Sequence, residues 1–225
     1  MSRRSINFPA KDLPLRDDVG TLGRMVGEVL KEQCGEALFA QVEAIRSSAI
    51  YRREEGTADL EPVERAIGEP EAATSRQLVR AFSTYFQVIN LAELVHRIRR
   101  IREVLNAGDE LTGSLNEAFT QLRVSGVTDA ELESLLERLL IEPVMTAHPT
   151  EATRRSLLEK ERSIIRRLAE RLDPGRTPDE EHVALERIRQ QITVAWQTRN
   201  YATVRPSVAT ERAAILFYLA ETLYE

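Results

Sequence analysis

The stretch from Ile141 to Thr153 reads I-E-P-V-M-T-A-H-P-T-E-A-T, and two arginines, Arg154 and Arg155, follow it directly. An apolar run, a histidine, a proline and paired basic side chains meet in this short segment. Pro149 disfavours the α conformation for His148, which precedes it, and suits the first position of a following helix. His148 is therefore predicted at a junction between extended backbone and a helix.

The residues on the two sides of this junction follow different patterns. Val144 to Thr146 lie between Pro143 and Pro149, and they are too few for a helix but enough for a short buried strand. The pattern after the histidine is helical, and Asp173-Pro174-Gly175 ends it. Its apolar positions are Leu157, Leu158, Ile164, Ile165, Leu168 and Leu172.

The predicted junction has the chemistry of a catalytic or anion-binding loop. The positive potential of a helix amino terminus favours neutral imidazole over imidazolium, which keeps a base available at His148 near neutral pH. The same potential, with Arg154 and Arg155 close by, suits a phosphate or a carboxylate. The residues alone also fit a simpler interpretation, in which His148 only hydrogen-bonds locally and the arginines form surface ion pairs.

Composition excludes several classes of function. The chain has 225 residues, 42% of them hydrophobic, which is enough for a substantial core. Its formal net charge of −5 gives no general attraction to nucleic acid or anionic lipid. The single cysteine, Cys34, excludes an internal disulfide and is expected to be a small buried residue on a helix. Because no signal-peptide or membrane-span pattern is present, we expect a cytoplasmic protein.

The amino-terminal third is predicted to be helical after a loose arm that ends near Leu15. Asp17 or Asp18 is expected to cap the first helix, and Gly35 to end or kink it. A second helix is expected from Glu36 to Tyr51. The apolar face of the first helix comprises Leu22, Val26, Val29 and Leu30.

A long helix is predicted from Glu71 to about Leu105, after a charged connection that has a short helix at Val63 to Ile67. Its basic end, H-R-I-R-R-I-R at 96–102, is interpreted as a solvated helix face rather than an anion site. His96 is accordingly interpreted as structural or merely exposed. The expected core positions of this helix are Leu78, Phe82, Tyr85, Phe86, Ile89, Leu94, Ile98, Ile101 and Leu105.

Three S/T-x-x-E sequences predict the starts of further helices by the capping-box pattern. They are Ser114 with Glu117, Thr128 with Glu131, and Thr177 with Glu180. The second of these helices is expected to reach about Leu140. Trp196 is expected in the core near the end of the third, and a last helix is expected after Arg205-Pro206.

The hexapeptide T-A-H-P-T-E, followed by A-T-R-R-S-L-L-E-K, closely resembles the histidine motif of phosphoenolpyruvate carboxylase. Shorter pieces agree in order along the chain: Leu22-Gly23 with Gly27-Glu28, Ala81-Phe82-Ser83 with Asn90-Leu91-Ala92-Glu93, and Trp196-Gln197-Thr198 with Arg205-Pro206. The resemblance implies the helical amino-terminal part of an α/β barrel enzyme of the TIM type. Val144 to Thr146 would be one barrel strand, and His148 would lie on the loop after it.

The resemblance also implies a function for the whole enzyme. Such a lyase carboxylates phosphoenolpyruvate with bicarbonate, giving oxaloacetate and phosphate, as an anaplerotic step of carbon fixation that feeds the tricarboxylic acid cycle. His148 matches the catalytic histidine, and Arg154 and Arg155 match arginines that help to bind a sugar-phosphate activator in some members. The resemblance further implies a homo-oligomer, the family tetramer, and Mg²⁺ held by a larger carboxyl-terminal part. This chain alone is therefore expected to be inactive.

Two alternatives to this function remain, and the sequence departs from the family pattern at one place. The first alternative is a non-catalytic helical scaffold or assembly module. A phosphohistidine relay would need His148 exposed in mid-helix, which Pro149 opposes. Thr198-Arg199-Asn200 replaces the T-D-E of many family members, which puts an activator pocket nearby in doubt.

We expect a helical region at 1–140, and the strand, the histidine loop and the following helices at 141–225.

Overall fold

The structure is a computed structural model that describes residues 8–142, 154–199 and 207–223, and these residues are mostly helical. A short 3-10 helix, Ala10–Asp12, precedes the α-helices. The α-helices are α1 (Leu13–Cys34), α2 (Glu36–Glu55), α3 (Glu61–Ile67), α4 (Ala72–Asn106), α5 (Leu115–Val124), α6 (Asp129–Glu137), α7 (Arg155–Glu170), α8 (Pro178–Gln197) and α9 (Val208–Leu223). The described ranges contain no strand, and the strand expected at Val144 to Thr146 lies outside them.

The chain divides into two compact units, and the boundary falls within α4. One unit combines Met1–His96 with Thr153–Glu225, and the other is Arg97–Ala152. We call the first the core unit and the second the insert unit. The division into 1–140 and 141–225 expected from the sequence stays a prediction.

The core unit is built on one apolar cluster from α1, α2, α4, α7 and α8. The faces predicted for α1 and α7 are confirmed in their main positions. Burying a Leu, Ile or Val side chain contributes about 1.5–3 kcal/mol relative to leaving it exposed, so this cluster dominates the stability of the unit. Its most deeply buried apolar residues include Leu22, Val29, Val95, Leu168, Ile188 and Ile192.

Two glycines of α1 allow its neighbours to approach closely. A Cβ atom at Gly23 would lie 3.2 Å from Tyr85 Cε2, and one at Gly27 would lie 3.0 Å from Phe39 Cε2. Both distances are shorter than ordinary van der Waals contacts. The aromatic rings therefore occupy space that any larger residue at these positions would need.

The cap predicted for α1 is wrong. The helix begins at Leu13, several residues before Asp17 and Asp18, with Asp12 at the N-cap position and Pro14 in the first turn. The arm expected up to Leu15 is correspondingly shorter, since the 3-10 helix and the start of α1 already occupy it. Asp18 is a buried side chain in the second turn of α1, 5% exposed.

Asp18 is buried because it takes part in an ion-pair network with Arg171 and Glu181. Arg171 Nη1 donates to Asp18 Oδ1 at 2.9 Å, and Arg171 Nε donates to Glu181 Oε1 at 2.7 Å. Arg171 is the C-cap residue of α7, Asp18 belongs to α1 and Glu181 to α8. One guanidinium thus joins three helices through charge-assisted hydrogen bonds.

The carboxyl end of α8 is held against α4 in a similar way. Arg80 Nη2 donates to the Thr198 carbonyl oxygen at 2.8 Å, and its guanidinium lies 5.0 Å from the centre of the Trp196 ring. A cation at the carboxyl end of a helix complements the helix dipole. Trp196 itself is buried, so its predicted place in the core is confirmed.

The core face predicted for α4 is wrong in part, since Leu78 is buried and Phe82 packs against the core but four of the expected positions are exposed. Phe86 is 59% exposed, and Leu94, Ile101 and Leu105 are also exposed. Small and β-branched residues fill the buried face instead, because α4 carries apolar residues on more than one side and the largest ones do not mark the packed side. The buried residues of α4 are Leu78, Ala81, Thr84, Val88, Leu91, Ala92, Val95 and His96.

The described part of the insert unit comprises the end of α4, then α5 and α6. The Ser114 side chain caps α5 by accepting from Glu117 N, but the Glu117 carboxylate accepts from Gly113 N, so that box is only half formed. The Thr128 and Glu131 box of α6 is complete. Its helix ends at Glu137, earlier than the predicted end near Leu140.

Candidate functional site

His148, which has the strongest claim to a catalytic role, lies outside the described residues, as does Pro149. The described structure resumes at Arg154, which directly precedes α7. It places Arg154 and Arg155, while the roles expected for these arginines and for His148 stay predictions.

The start of α7 has the backbone of an uncapped helix amino terminus. Arg154 is in extended conformation, with φ −64° and ψ 135°, and as the N-cap residue its own side chain makes no capping hydrogen bond. Its carbonyl oxygen accepts from Leu157 N at 2.8 Å and from Leu158 N at 3.3 Å. The first N–H groups of a helix have no acceptor in a preceding turn, which makes this end electropositive.

The two arginines are both exposed but differ in their contacts. Arg155 Nε donates to Glu159 Oε1 at 2.9 Å, and the Arg155 side chain is 64% exposed. Such i,i+4 pairs at a surface contribute only about 0.3–0.5 kcal/mol. No ion pair joins Arg154 to another residue within 8–142, 154–199 and 207–223. The surface-pair interpretation therefore fits Arg155, whereas Arg154 stands beside the electropositive helix start.

The body of α7 is held firmly, so the position of its start is well defined. Leu157 is buried one turn after Arg154, and Ile164 and Leu168 follow it into the core. At the far end, Arg171 makes the contacts with Asp18 and Glu181 described above. The segment that carries His148 thus leads directly into a helix that is packed along its whole length.

A small cavity of about 20 Å³ lies beside the first two turns of α7. That volume has room for about one water molecule. Its surface is almost entirely apolar, although Thr84, Gln87 and Glu161 contribute to the lining. The cavity is too small for a substrate.

Glu161 is a half-buried acid that the sequence analysis did not identify. Burial raises the pKa of its carboxyl group, and no ion pair joins it to another residue of the described segments. The sequence does indicate this burial, because Glu161 falls on the apolar stripe of α7 between Leu157 and Ile164. An acidic residue in an apolar stripe of helical period indicates a buried carboxyl.

Two further residues considered from the sequence, His96 and Cys34, have surroundings typical of structural residues. His96 is buried, and its Nε2 lies 3.5 Å from Asp12 Oδ1, which fits the structural alternative expected for this residue and not a solvated position. Cys34 ends α1 and is partly buried. Burial raises the pKa of its thiol, against a smaller lowering by Arg80. A thiol of raised pKa is a poor nucleophile.

No three His, Cys, Asp or Glu side chains come close enough to hold a metal ion in the part of the chain that the structure describes. These side chains therefore do not fit a magnesium site. Within the same ranges, no helix has the length and apolar character needed to span a membrane.

Comparison with known proteins decides the family. The family model for phosphoenolpyruvate carboxylase matches residues 15–225. The chain belongs to the phosphoenolpyruvate carboxylase family. Among curated relatives, the phosphoenolpyruvate carboxylase of Xanthomonas oryzae pv. oryzae is 46% identical over 224 residues, covering 99% of this chain and 25% of the relative. That of Ralstonia nicotianae is 39% identical over 224 residues, covering 98% and 23%.

The chain spans about a quarter of the length of these phosphoenolpyruvate carboxylases and corresponds to an amino-terminal portion of them. The family resemblance of the T-A-H-P-T-E motif is thereby confirmed at the level of the whole chain. The start of α7 is the described structural feature adjacent to this motif.

Glu161→Gln should stabilise the protein at neutral pH and leave its stability unchanged in acid. Burial raises the pKa of the Glu161 carboxyl group in the folded state. The free energy of unfolding therefore falls as pH rises from the pKa of the unfolded state toward the raised pKa of the folded state. A glutamine does not ionise, so the variant does not lose this stability. Because the side chain is partly exposed, the gain at pH 7 should be no more than about 1 kcal/mol.

Urea unfolding at pH 4 and pH 7 measures this difference, and Glu186→Gln, at an exposed position of α8, is the matched control. An equal stability difference at both pH values would show that the ionisation of Glu161 has no part in it.

Proposed function

We propose that this chain forms part of a phosphoenolpyruvate carboxylase, which carboxylates phosphoenolpyruvate with bicarbonate to give oxaloacetate and phosphate. The observation that carries the proposal is the T-A-H-P-T-E motif within a family match over residues 15–225. The electropositive start of α7 supports it, because it stands directly after the motif.

His148 is proposed as the general base of the carboxylation step. It takes the proton of carboxyphosphate, whose C–O bond to the phosphate then breaks, releasing carbon dioxide and phosphate. The enolate carbon attacks the carbon dioxide and forms the new carbon–carbon bond of oxaloacetate. The positive potential at the start of α7 favours the neutral, proton-accepting imidazole.

Magnesium and the substrate-binding groups are proposed to come from the part of the longer relatives that this chain does not match. When bound, Mg²⁺ would neutralise the charge of the phosphoryl group during its transfer. Because it would lack these groups, the chain alone is proposed to be inactive. From the family resemblance, the complete enzyme is proposed to be a cytoplasmic homo-oligomer.

His148→Asn should abolish oxaloacetate formation but leave phosphoenolpyruvate hydrolysis detectable, because phosphoryl transfer precedes the step that needs the base. The chimera for this test joins residues 1–225 to the unmatched three quarters of the Xanthomonas oryzae relative. Loss of a general base typically lowers the rate about 10²- to 10⁴-fold. Coupled assays for oxaloacetate and for pyruvate measure the two outcomes separately.

His182→Asn is the matched control, since His182 is an exposed histidine on α8. Normal oxaloacetate formation by the His148 variant would contradict the base role. A chimera with no carboxylase activity before mutation would count against the proposed function itself and for a scaffold role.

Arg154 and Arg155 are proposed to bind a sugar-phosphate activator. Both are exposed at the start of α7, where a phosphate would meet the helix N–H groups and the guanidinium groups together. The ion pair of Arg155 with Glu159 is weak enough to be exchanged for such a ligand.

Replacing Arg154 and Arg155 together by Ala should remove activation of the chimera by a sugar phosphate. Two charge-assisted contacts at about 1.5–3 kcal/mol each correspond to a loss of at least 100-fold in activator affinity. The ratio of activated to basal rate, measured over a range of activator concentrations, reports this. Arg166→Ala, an exposed arginine on the same helix, is the control. An unchanged activation curve in the double variant would contradict the assignment.

A further inference from the structure

Glu161 interrupts the packed side of α7 in its second turn. Leu157, one turn before it, is 2% exposed, and Ile164, one turn after it, is 3% exposed. Residues three and four apart on a helix share a face, so Glu161 lies among side chains that pack into the core. Glu161 itself is half-buried, which places it where this apolar interface borders solvent.

The interface beside Glu161 is incompletely filled. Glu161 contributes to the lining of the cavity of about 20 Å³ that α7 forms with α4 and α8, and the surface of this cavity is almost entirely apolar. The side chains around such a void lose the dispersion contacts that a filled interface would give them. This part of the interface therefore leaves space in which the packing of α7 can change.

No neighbouring charge compensates the Glu161 carboxylate within the described lining of the cavity. The other charged side chain there is Lys160 of α7, whose Nζ donates to the Ser156 carbonyl oxygen at 2.8 Å. Burial raises the pKa of the Glu161 carboxyl group, as expected where no cation stabilises its charged form. The side chains that α4 and α8 contribute are neither charged nor titratable, and they are Thr84, Gln87, Val88, Leu91, Ile192 and Ala195.

The two protonation states of Glu161 favour different packing. A neutral carboxyl group can stay against the apolar lining at moderate cost, whereas a carboxylate there loses hydration that no protein group replaces. Since Glu161 borders solvent, its carboxylate regains hydration by turning outward, away from α4 and α8. The second turn of α7 then loses packing contacts with the core.

The affected turns are those nearest to the T-A-H-P-T-E motif. Arg171 holds the opposite end of α7 through its contacts with Asp18 and Glu181. A loss of contacts at the second turn therefore acts mainly on the start of the helix. Arg154 and the segment 143–153, which contains His148, directly precede that start in the sequence.

We propose that Glu161 is a positioning residue that holds the start of α7 more tightly against the core when its carboxyl group is protonated than when it is ionised. The attachment is complete below the ordinary pKa of a glutamate, and it weakens as pH rises toward the raised pKa of the folded state. The consequence for carboxylation rests on the proposed function, because it acts through the segment of His148. The consequence for the helix does not.

Hydrogen exchange of the chain at pH 4 and pH 7 tests the attachment, with each amide's rate corrected for its intrinsic dependence on pH. The amides of 157–163 should be equally protected in wild type and in Glu161→Gln at pH 4. At pH 7 their protection should be up to about 5-fold higher in the variant, matching the difference in stability expected above. The amides of 166–170 should differ less.

Glu159→Gln is the matched control for hydrogen exchange. It removes an exposed carboxylate from the same two turns of α7, since the Glu159 side chain is 54% exposed. Because Glu159 lies outside the packed side of the helix, this variant should keep the wild-type change in protection between pH 4 and pH 7.

A second measurement is the pH profile of oxaloacetate formation by the chimera. At pH 7, kcat should be higher for Glu161→Gln than for wild type by at most about 5-fold, and this ratio should fall toward one as pH is lowered. The KM for phosphoenolpyruvate should stay unchanged, because the groups proposed to bind this substrate lie outside residues 1–225. Glu186→Gln should match wild type at each pH.

Three results would overturn the proposal. Equal protection of 157–163 in wild type and Glu161→Gln at pH 7 would show that ionisation does not affect the attachment. An equal difference at 157–163 and 166–170 would assign the effect to the stability of the whole unit. A kcat ratio that does not change with pH would exclude an effect on the segment of His148. A chimera that is inactive before mutation would count against the proposed function only, and hydrogen exchange of the chain would then decide.

Discussion

The contact of Arg171 with the buried Asp18 and the partly exposed Glu181 is the constraint on which the core unit depends. Apolar packing alone would let α1, α7 and α8 slide by a fraction of a turn at small cost, because hydrophobic burial is not directional. A guanidinium that donates to two carboxylates from different helices permits only one arrangement. The cost of removing these charges from water is offset only while the geometry is kept, so the network specifies the arrangement of the helices more than it stabilises them.

This constraint reaches the candidate site through α7. Arg171 fixes the carboxyl end of the helix, Leu168 and Ile164 fix its middle, and Leu157 fixes its first turn. A helix held along one side transmits position rigidly over about 24 Å, the length of sixteen residues. The electropositive start at Arg154 is therefore placed by contacts at the opposite end. In the proposed function, the protein contributes this fixed helix start to a base, His148, in the preceding segment of the sequence.

The features predictable from sequence were local. Gly35 ends α1, Asp173-Pro174-Gly175 follows α7, and the Thr128 and Thr177 boxes start helices where expected, because each depends on residues within four positions of one another. Asp18 was predicted as a cap, since its partner Arg171 lies 153 positions away and no local pattern connects them. Part of the buried face of α4 was missed because residues such as Ala81 and Ala92 carry little weight in a hydrophobic pattern, although both are buried. The site could be predicted only through its motif, while Glu161 was missed although it falls on the apolar stripe predicted for α7.

The most direct test of this account is the free energy of unfolding of Arg171→Met, measured in urea beside Arg167→Met. Arg167 contacts only Glu170 of its own helix in the described structure, so its loss should cost less than about 1 kcal/mol. Loss of Arg171 should cost about 3 kcal/mol, because Asp18 stays buried without its guanidinium partner. The further change Asp18→Leu should then recover part of that loss. Equal, small effects of the two arginine substitutions would contradict the claim that the buried network sets the packing of α7.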